Sequence, residues 1–243
     1  MSIIIGCFVI LKVGEMMDRL KIQFVFFLLV VFSFFSFTLS QPKLFVIGDS
    51  ISIFYGPYLK QYVKGKYLYD RKRDKGEAMR DLDNPIGANG GDSRMVVKYL
   101  KELSENKSFY TDLLLVNCGL HDTKTDILTG KKQVSLEEYQ HNLDTICQLS
   151  EKMKVKLVWV NCTPVNDSIH NSKGVAFYRY NRDVIRYNEV ADSLLALRGI
   201  PIIDMYTFSS QFPLDAFMDH VHYSIEYRKL QAAYIAGFLE KLK

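Results

Sequence analysis

The chain has 243 residues, 48% hydrophobic and 24% charged, with a net charge of +4. That is ordinary globular composition, long enough for one full α/β domain. The positive charge is spread out with no Lys/Arg stripe interleaved with aromatics, which argues against nucleic acid as a partner. The Arg71-Lys72-Arg73 run is interrupted by Asp74 and reads as a solvated loop.

At the N-terminus, Arg19 and Lys21 precede an uncharged apolar run from Phe24 to Leu39. Small residues around Ser40 then offer a cleavage point before Gln41, the layout of a secretory signal peptide. Residues 1–40 are therefore expected to be a removable leader, and 41–243 a mature domain that is secreted or periplasmic. The run is only slightly short for a membrane span, so a retained anchor is the alternative, and only then is a membrane a partner. Met16 or Met17 would make a tidier start. No Cys follows the run, so a lipidated N-terminus is not suggested. Cys7 lies in the leader. Cys118, Cys147 and Cys162 form an odd set and read as small buried hydrophobes, with Cys118 and Cys162 neighbours at strand ends. No Cys-x-x-Cys spacing suggests zinc or redox chemistry.

In chain order, Leu44 to Ile47 is a short unalternating apolar run, as in a central parallel strand covered on both faces. Gly48-Asp49-Ser50 stops it abruptly. Ser50 then sits at a strand's carboxyl end and near a helix N-terminus, where open α/β sheets place their sites. On this stretch alone Ser50 is either a helix cap or a nucleophile. The helix runs through Phe54 to Lys64, with Phe54, Tyr58 and Tyr62 read as its core stripe. Tyr67-Leu68-Tyr69 is a second strand, followed by a long polar loop from Asp70 to Asn84, ended by Pro85.

Gly87-Ala88-Asn89-Gly90-Gly91-Asp92-Ser93 is a Gly-rich turn feeding a helix from Arg94 to Lys107. It offers backbone N–H groups to an anion but lacks the ending of a phosphate loop. Leu113 to Val116 is the third strand and leads into Asn117-Cys118-Gly119-Leu120-His121-Asp122. A helix from Ser135 to Met153 starts with a capping box, Ser135 and Glu138. The fourth strand ends at Val160, and a polar loop from Asn166 to Gly174 lies at the same sheet edge, where it could shape a substrate pocket. A helix from Tyr178 to Leu197, a short strand from Pro201 to Asp204 and a final helix from Ser224 to Lys243 complete the chain. On the last helix Leu230, Ala233, Tyr234, Gly237, Phe238 and Leu242 are expected to face inward. Alternating strands and helices predict a three-layer α/β/α sandwich with a mostly parallel five-stranded sheet in the flavodoxin-like order 2-1-3-4-5.

Asp219 and His222, three apart before the last helix, can pair so that the carboxylate holds one imidazole nitrogen and frees the other. With Ser50, and with the loops of Gly91 and His121, they fill the four roles of an ester hydrolase: nucleophile, base, orienter and oxyanion site. In this the chain resembles the SGNH hydrolase, or GDSL esterase/lipase, family over about residues 43–243. Gly48-Asp49-Ser50 resembles the block that carries the nucleophile. Gly90-Gly91-Asp92-Ser93 resembles the block whose glycine, here Gly91, donates its N–H to the oxyanion. Asp219-x-x-His222 resembles the block of the acid and base. The family's Gly-x-Asn-Asp departs here to Gly119-Leu120-His121-Asp122, so the donating Asn is His121.

A neutral imidazole can still donate one N–H, which would make His121 a pH-sensitive donor near neutrality; alternatively His121 is structural, and Ser50 and Gly91 N–H groups form the hole. Two minor readings of His220 are a metal ligand beside Asp219 and His222, and the base itself. His141 and His170 read as solvent-facing or locally bonded, and Asp49 as a structural brace.

The resemblance implies a serine ester hydrolase with no cofactor, acting on a small-molecule or glycan ester. A secreted chain with no evident lid leans to short acyl groups such as acetyl. A lysophospholipase, thioesterase or acyltransferase of the same fold, or a non-catalytic carbohydrate-binding module, are the alternatives.

Overall fold

The computed structural model describes Arg19, Lys21, Gln23, Phe24 and residues 41–242, apart from 74 and 173. The chain divides into two units after Ser40. Apart from Arg19, Lys21, Gln23 and Phe24, the expected leader, including Cys7 and the residues up to the cleavage point, lies outside the described residues. Among the described residues no helix is long and apolar enough to cross a membrane.

Five parallel strands form one sheet: β1 (Lys43–Ile47), β2 (Leu68–Arg71), β3 (Leu113–Val116), β4 (Lys156–Val160) and β5 (Ile202–Ile203), in the order 2-1-3-4-5. The order expected from the alternating pattern is the one observed. Strand side chains alternate between two cores. Leu44, Val46, Leu113, Leu115, Val158 and Val160 face one layer. Phe45, Ile47, Leu114, Val116, Leu157 and Trp159 face the other. This two-sided burial is why the strands read as continuous apolar runs.

Helix α1 (Ser50–Tyr62) and the C-terminal helix α7 (Ile225–Glu240) pack together over the first face. Helices α2 (Ser93–Glu105), α3 (Leu136–Met153) and α5 (Asn181–Leu197) cover the second. The short helices α4 (Asp167–Asn171) and α6 (Met205–Ser210) lie in the connections after β4 and β5. Ser135 caps α3, its hydroxyl accepting from the Glu138 N–H at 3.1 Å.

Several expectations shift. Helix α1 begins at Ser50 and buries Ile51, Tyr55 and Leu59, not the Phe54, Tyr58 and Tyr62 stripe, of which Tyr62 is exposed. Helix α7 buries Gln231, Ala232, Ile235, Ala236 and Leu239, with Tyr234, Phe238 and Leu242 packed at the margin, while Leu230 is 44% exposed. Both helices carry apolar residues on more than one side, so their period does not set which side is covered. Strand β2 extends to Arg71 because it pairs with β1 through Val46. Helix α5 starts at Asn181 because Tyr178 is held extended, exchanging backbone hydrogen bonds of 2.8 Å with Thr125.

Candidate active site

The turn after β1 sets the first group. Asp49 caps α1: its Oδ1 accepts the Ile51 N–H at 3.0 Å, and its carbonyl accepts from Ser52 Oγ at 2.7 Å. Asp49 is fully buried, and burial pushes its carboxyl up from the usual range, opposed by the Ile51 N–H. It is a brace, as expected. Gly48 leaves no room for a side chain, since a Cβ there would lie 2.8 Å from Ser52 Cβ and Oγ. Ser50 is then the first helical residue, where its N–H has no intrahelical acceptor and the helix dipole favours negative charge.

The Asp219–His222 turn supplies the other two groups. Asp219 Oδ1 accepts the Val221 and His222 N–H groups, each at 2.8 Å. Its Oδ2 accepts from His222 Nδ1 at 2.6 Å. Burial raises the Asp219 carboxyl, but the hydrogen bond and charge of His222 and the two N–H groups outweigh it, so the net shift is downward. The carboxylate is therefore an acceptor only, which puts the ring proton on Nδ1 and leaves Nε2 to accept. His222 Nε2 lies 2.8 Å from Ser50 Oγ, 172 positions away. The Phe54 ring meets the imidazole edge-on, with centroids 5.0 Å apart, and the Arg228 guanidinium stacks 3.7 Å over Phe54. The aromatic expected in the core thus walls the imidazole. A hydroxyl, an imidazole and a carboxylate are in hydrogen-bond contact in series, the arrangement that makes a serine oxygen nucleophilic.

His121, past the end of β3, is 2% exposed and within electrostatic reach of His222. Its Nδ1 has no protein partner. Burial, then the charges of Lys124, Arg179 and His222, push its pKa well below the usual histidine value. His121 therefore stays neutral through physiological pH, which corrects the expected sensitivity near neutrality. Asp122 beside it anchors this loop to α2 by accepting from the Ser93 N–H and hydroxyl.

Gly91 is engaged otherwise than the resemblance implies. Its backbone takes φ +71°, and its N–H donates to Asn89 Oδ1 at 3.0 Å, a local Asx turn. A Cβ at Gly91 would collide with Met95 Sδ at 2.5 Å and Pro85 Cβ at 2.7 Å. The N–H expected at the oxyanion is thus spent within its own loop. Asn89 carried no sequence signal for this, since an Asn beside glycines is common in any turn.

His220 points to Arg179, 3.1 Å from its Nη1, so the ring that meets Ser50 is that of His222. Among the described residues no group of His, Cys, Asp and Glu is arranged to hold a metal. His170 is buried, bonded locally to the Phe177 carbonyl. His141 is exposed. The three cysteines are free and buried, and Cys162 Sγ donates to the Cys118 carbonyl at 3.3 Å.

A family profile described as GDSL-like Lipase/Acylhydrolase matches residues 44–235. The chain belongs to that family. It is an ester-bond hydrolase of the GDSL type. Solved structures share the fold at low identity. A lipase/acylhydrolase from Enterococcus faecalis is 16% identical, with a TM-score of 0.62, covering 83% of this chain and 96% of its own. The acetyl xylan esterase AlAXEase is 15% identical, with a TM-score of 0.61, covering 81% and 99%. The carbohydrate acetylesterase Est24 from Sinorhizobium meliloti is 14% identical, with a TM-score of 0.54, covering 84% and 100%. Comparison with curated protein sequences found no match.

Proposed function

We propose that the protein is an exported serine esterase that removes a short acyl group, such as acetyl, from a carbohydrate. The observation that carries the chemistry is the unbroken series Ser50 Oγ, His222, Asp219. Ser50 attacks the ester carbonyl while its proton passes to His222 Nε2. Asp219 stabilises the imidazolium through Nδ1–H. His222 then protonates the departing alkoxide, leaving Ser50 acylated. Water, deprotonated by His222, releases the acid and restores the hydroxyl.

The oxyanion is held by the Ser50 N–H and His121. Supporting His121 are its neutral burial and a ring nitrogen with no protein partner. The substrate class is drawn from two structural relatives described as an acetyl xylan esterase and a carbohydrate acetylesterase. Export is drawn from the charged-then-apolar leader.

A fluorophosphonate probe tests the chemistry: wild type should label and Ser50→Ala should not, and an unlabelled wild type would overturn the reading. Nitrophenyl esters of increasing chain length, run beside acetylated xylo-oligosaccharides, test the substrate. Acetyl should be preferred, and a preference for long chains would remove the short-acyl claim. A secreted protein whose N-terminus begins near Gln41 would support export; one retaining the apolar run would restore the anchor.

A further inference from the structure

We propose that Arg179 is a positioning residue for the esterase reaction, one guanidinium bolting the loop that carries His121 to the loop that carries Asp219 and His222. The proposal rests on the Ser50–His222–Asp219 reading above.

Arg179 lies just before α5, and its side chain is only 3% exposed. Its backbone is pinned from both sides by Asn171, whose Oδ1 accepts the Arg179 N–H at 3.0 Å and whose Nδ2 donates to the Arg179 carbonyl at 2.8 Å. The guanidinium then reaches three separate loops. Nε donates to the Leu120 carbonyl at 3.2 Å, one residue before His121. Nη1 donates to His220 Nε2 at 3.1 Å, between Asp219 and His222. Nη2 lies 3.4 Å from Asp83 Oδ1 in the long loop after β2. The Phe177 ring backs the guanidinium, 4.9 Å from its carbon.

A buried permanent cation is costly unless its donors are met, and here acceptors from three loops meet them. The pairing also settles His220. Arginine only donates, so His220 Nε2 accepts and the ring proton is on Nδ1, which lies 3.9 Å from Asp219 Oδ1. The stacked His170 ring, 4.0 Å away between centroids, confines His220 further. Burial, then the charges of His170 and Arg179, pull the His220 pKa down to about 4, so it remains an acceptor at working pH. Arg179 thereby braces both walls of the site without touching substrate. Lysine, a point charge on a flexible stem, cannot span the same acceptors.

Arg179→Lys should lower kcat about 10–100-fold, the scale of a 1 Å misplacement, while KM stays within about threefold. Fluorophosphonate labelling of Ser50 should slow in parallel, with far-UV dichroism at the assay temperature matching wild type even where Tm falls. A folded Arg179→Lys enzyme with wild-type kcat would overturn the proposal. Failure of the Ser50 reading is distinguishable, because wild type itself would then not label.

If Arg179→Lys does not fold, His220 decides. The Gln side-chain oxygen can accept from Arg179 and Leu cannot. His220→Gln should keep most of kcat and His220→Leu should lose it; equal kcat in the two variants would overturn the proposal. Where Arg179→Lys folds, the Arg179→Lys/His220→Leu double variant should be no slower than the worse single one, because both remove one link. Additive losses would overturn it.

Discussion

Ser50 is held by bonds spanning two or three residues, from Ile51 N–H to Asp49 Oδ1 and from Ser52 Oγ to the Asp49 carbonyl. The His222 loop leans on distant side chains: Arg179 on His220, 41 positions away, and Phe54 on the imidazole. Its local devices are the Asp219 turn and the Met218 N–H, which donates to the His222 carbonyl at 2.8 Å; they fix the carboxylate against the ring but not the direction in which the ring faces. The nucleophile is therefore part of a helix start, and damage there should register as lost stability as well as lost rate. The base is part of an irregular loop aimed by tertiary contacts, and damage there should register in kcat with the fold intact.

The largest expected effect is Ser50→Ala, losing about 10⁴–10⁶ in kcat for an acetyl ester, with far-UV dichroism unchanged. Asp219→Asn should follow at about 10⁴, because the wrong ring tautomer is then favoured. A loss below tenfold in steady-state assays would remove Asp219 from the series. His121→Ala should lose about 10²–10³ in kcat and His121→Asn less, since an amide can also donate. Equal rates in wild type and His121→Ala would remove His121 from the mechanism. Gly48→Ala probes the locally built side. Its Cβ meets Ser52, so denaturant melts should show about 1–3 kcal/mol of lost stability along with reduced activity.

The smallest effect concerns pH. Burial pushes the Asp122 carboxyl up to about 7, only partly offset by the Ser93 hydrogen bonds. The folded chain therefore holds this proton more tightly than the unfolded chain between about pH 4 and about pH 7. The stability this provides is full below about pH 4 and is lost as pH rises through about 7. Asp122→Asn has no proton to lose, so its Tm should gain on wild type by about 3–5 °C for each pH unit between about pH 5 and about pH 7. A constant Tm difference would argue against the raised value.

Much of this could be read from residue order. Three apolar runs gave the inner strands β1, β3 and β4, Ser135 marked the start of α3, and the spacing of Gly48-Asp49-Ser50 and Asp219-x-x-His222 marked the residues that meet. These are signals carried within a few neighbouring positions, by side-chain period, turn chemistry or a cap. Tertiary structure alone decided which side of α1 and α7 is buried, because apolar residues lie on more than one side and only the covering layer selects among them. It decided that burial keeps His121 neutral and that Arg179 joins two loops of the site. Each depends on what lies across space from a group, and hydrogen-bond partners and dielectric surroundings are set by packing rather than by the residue itself.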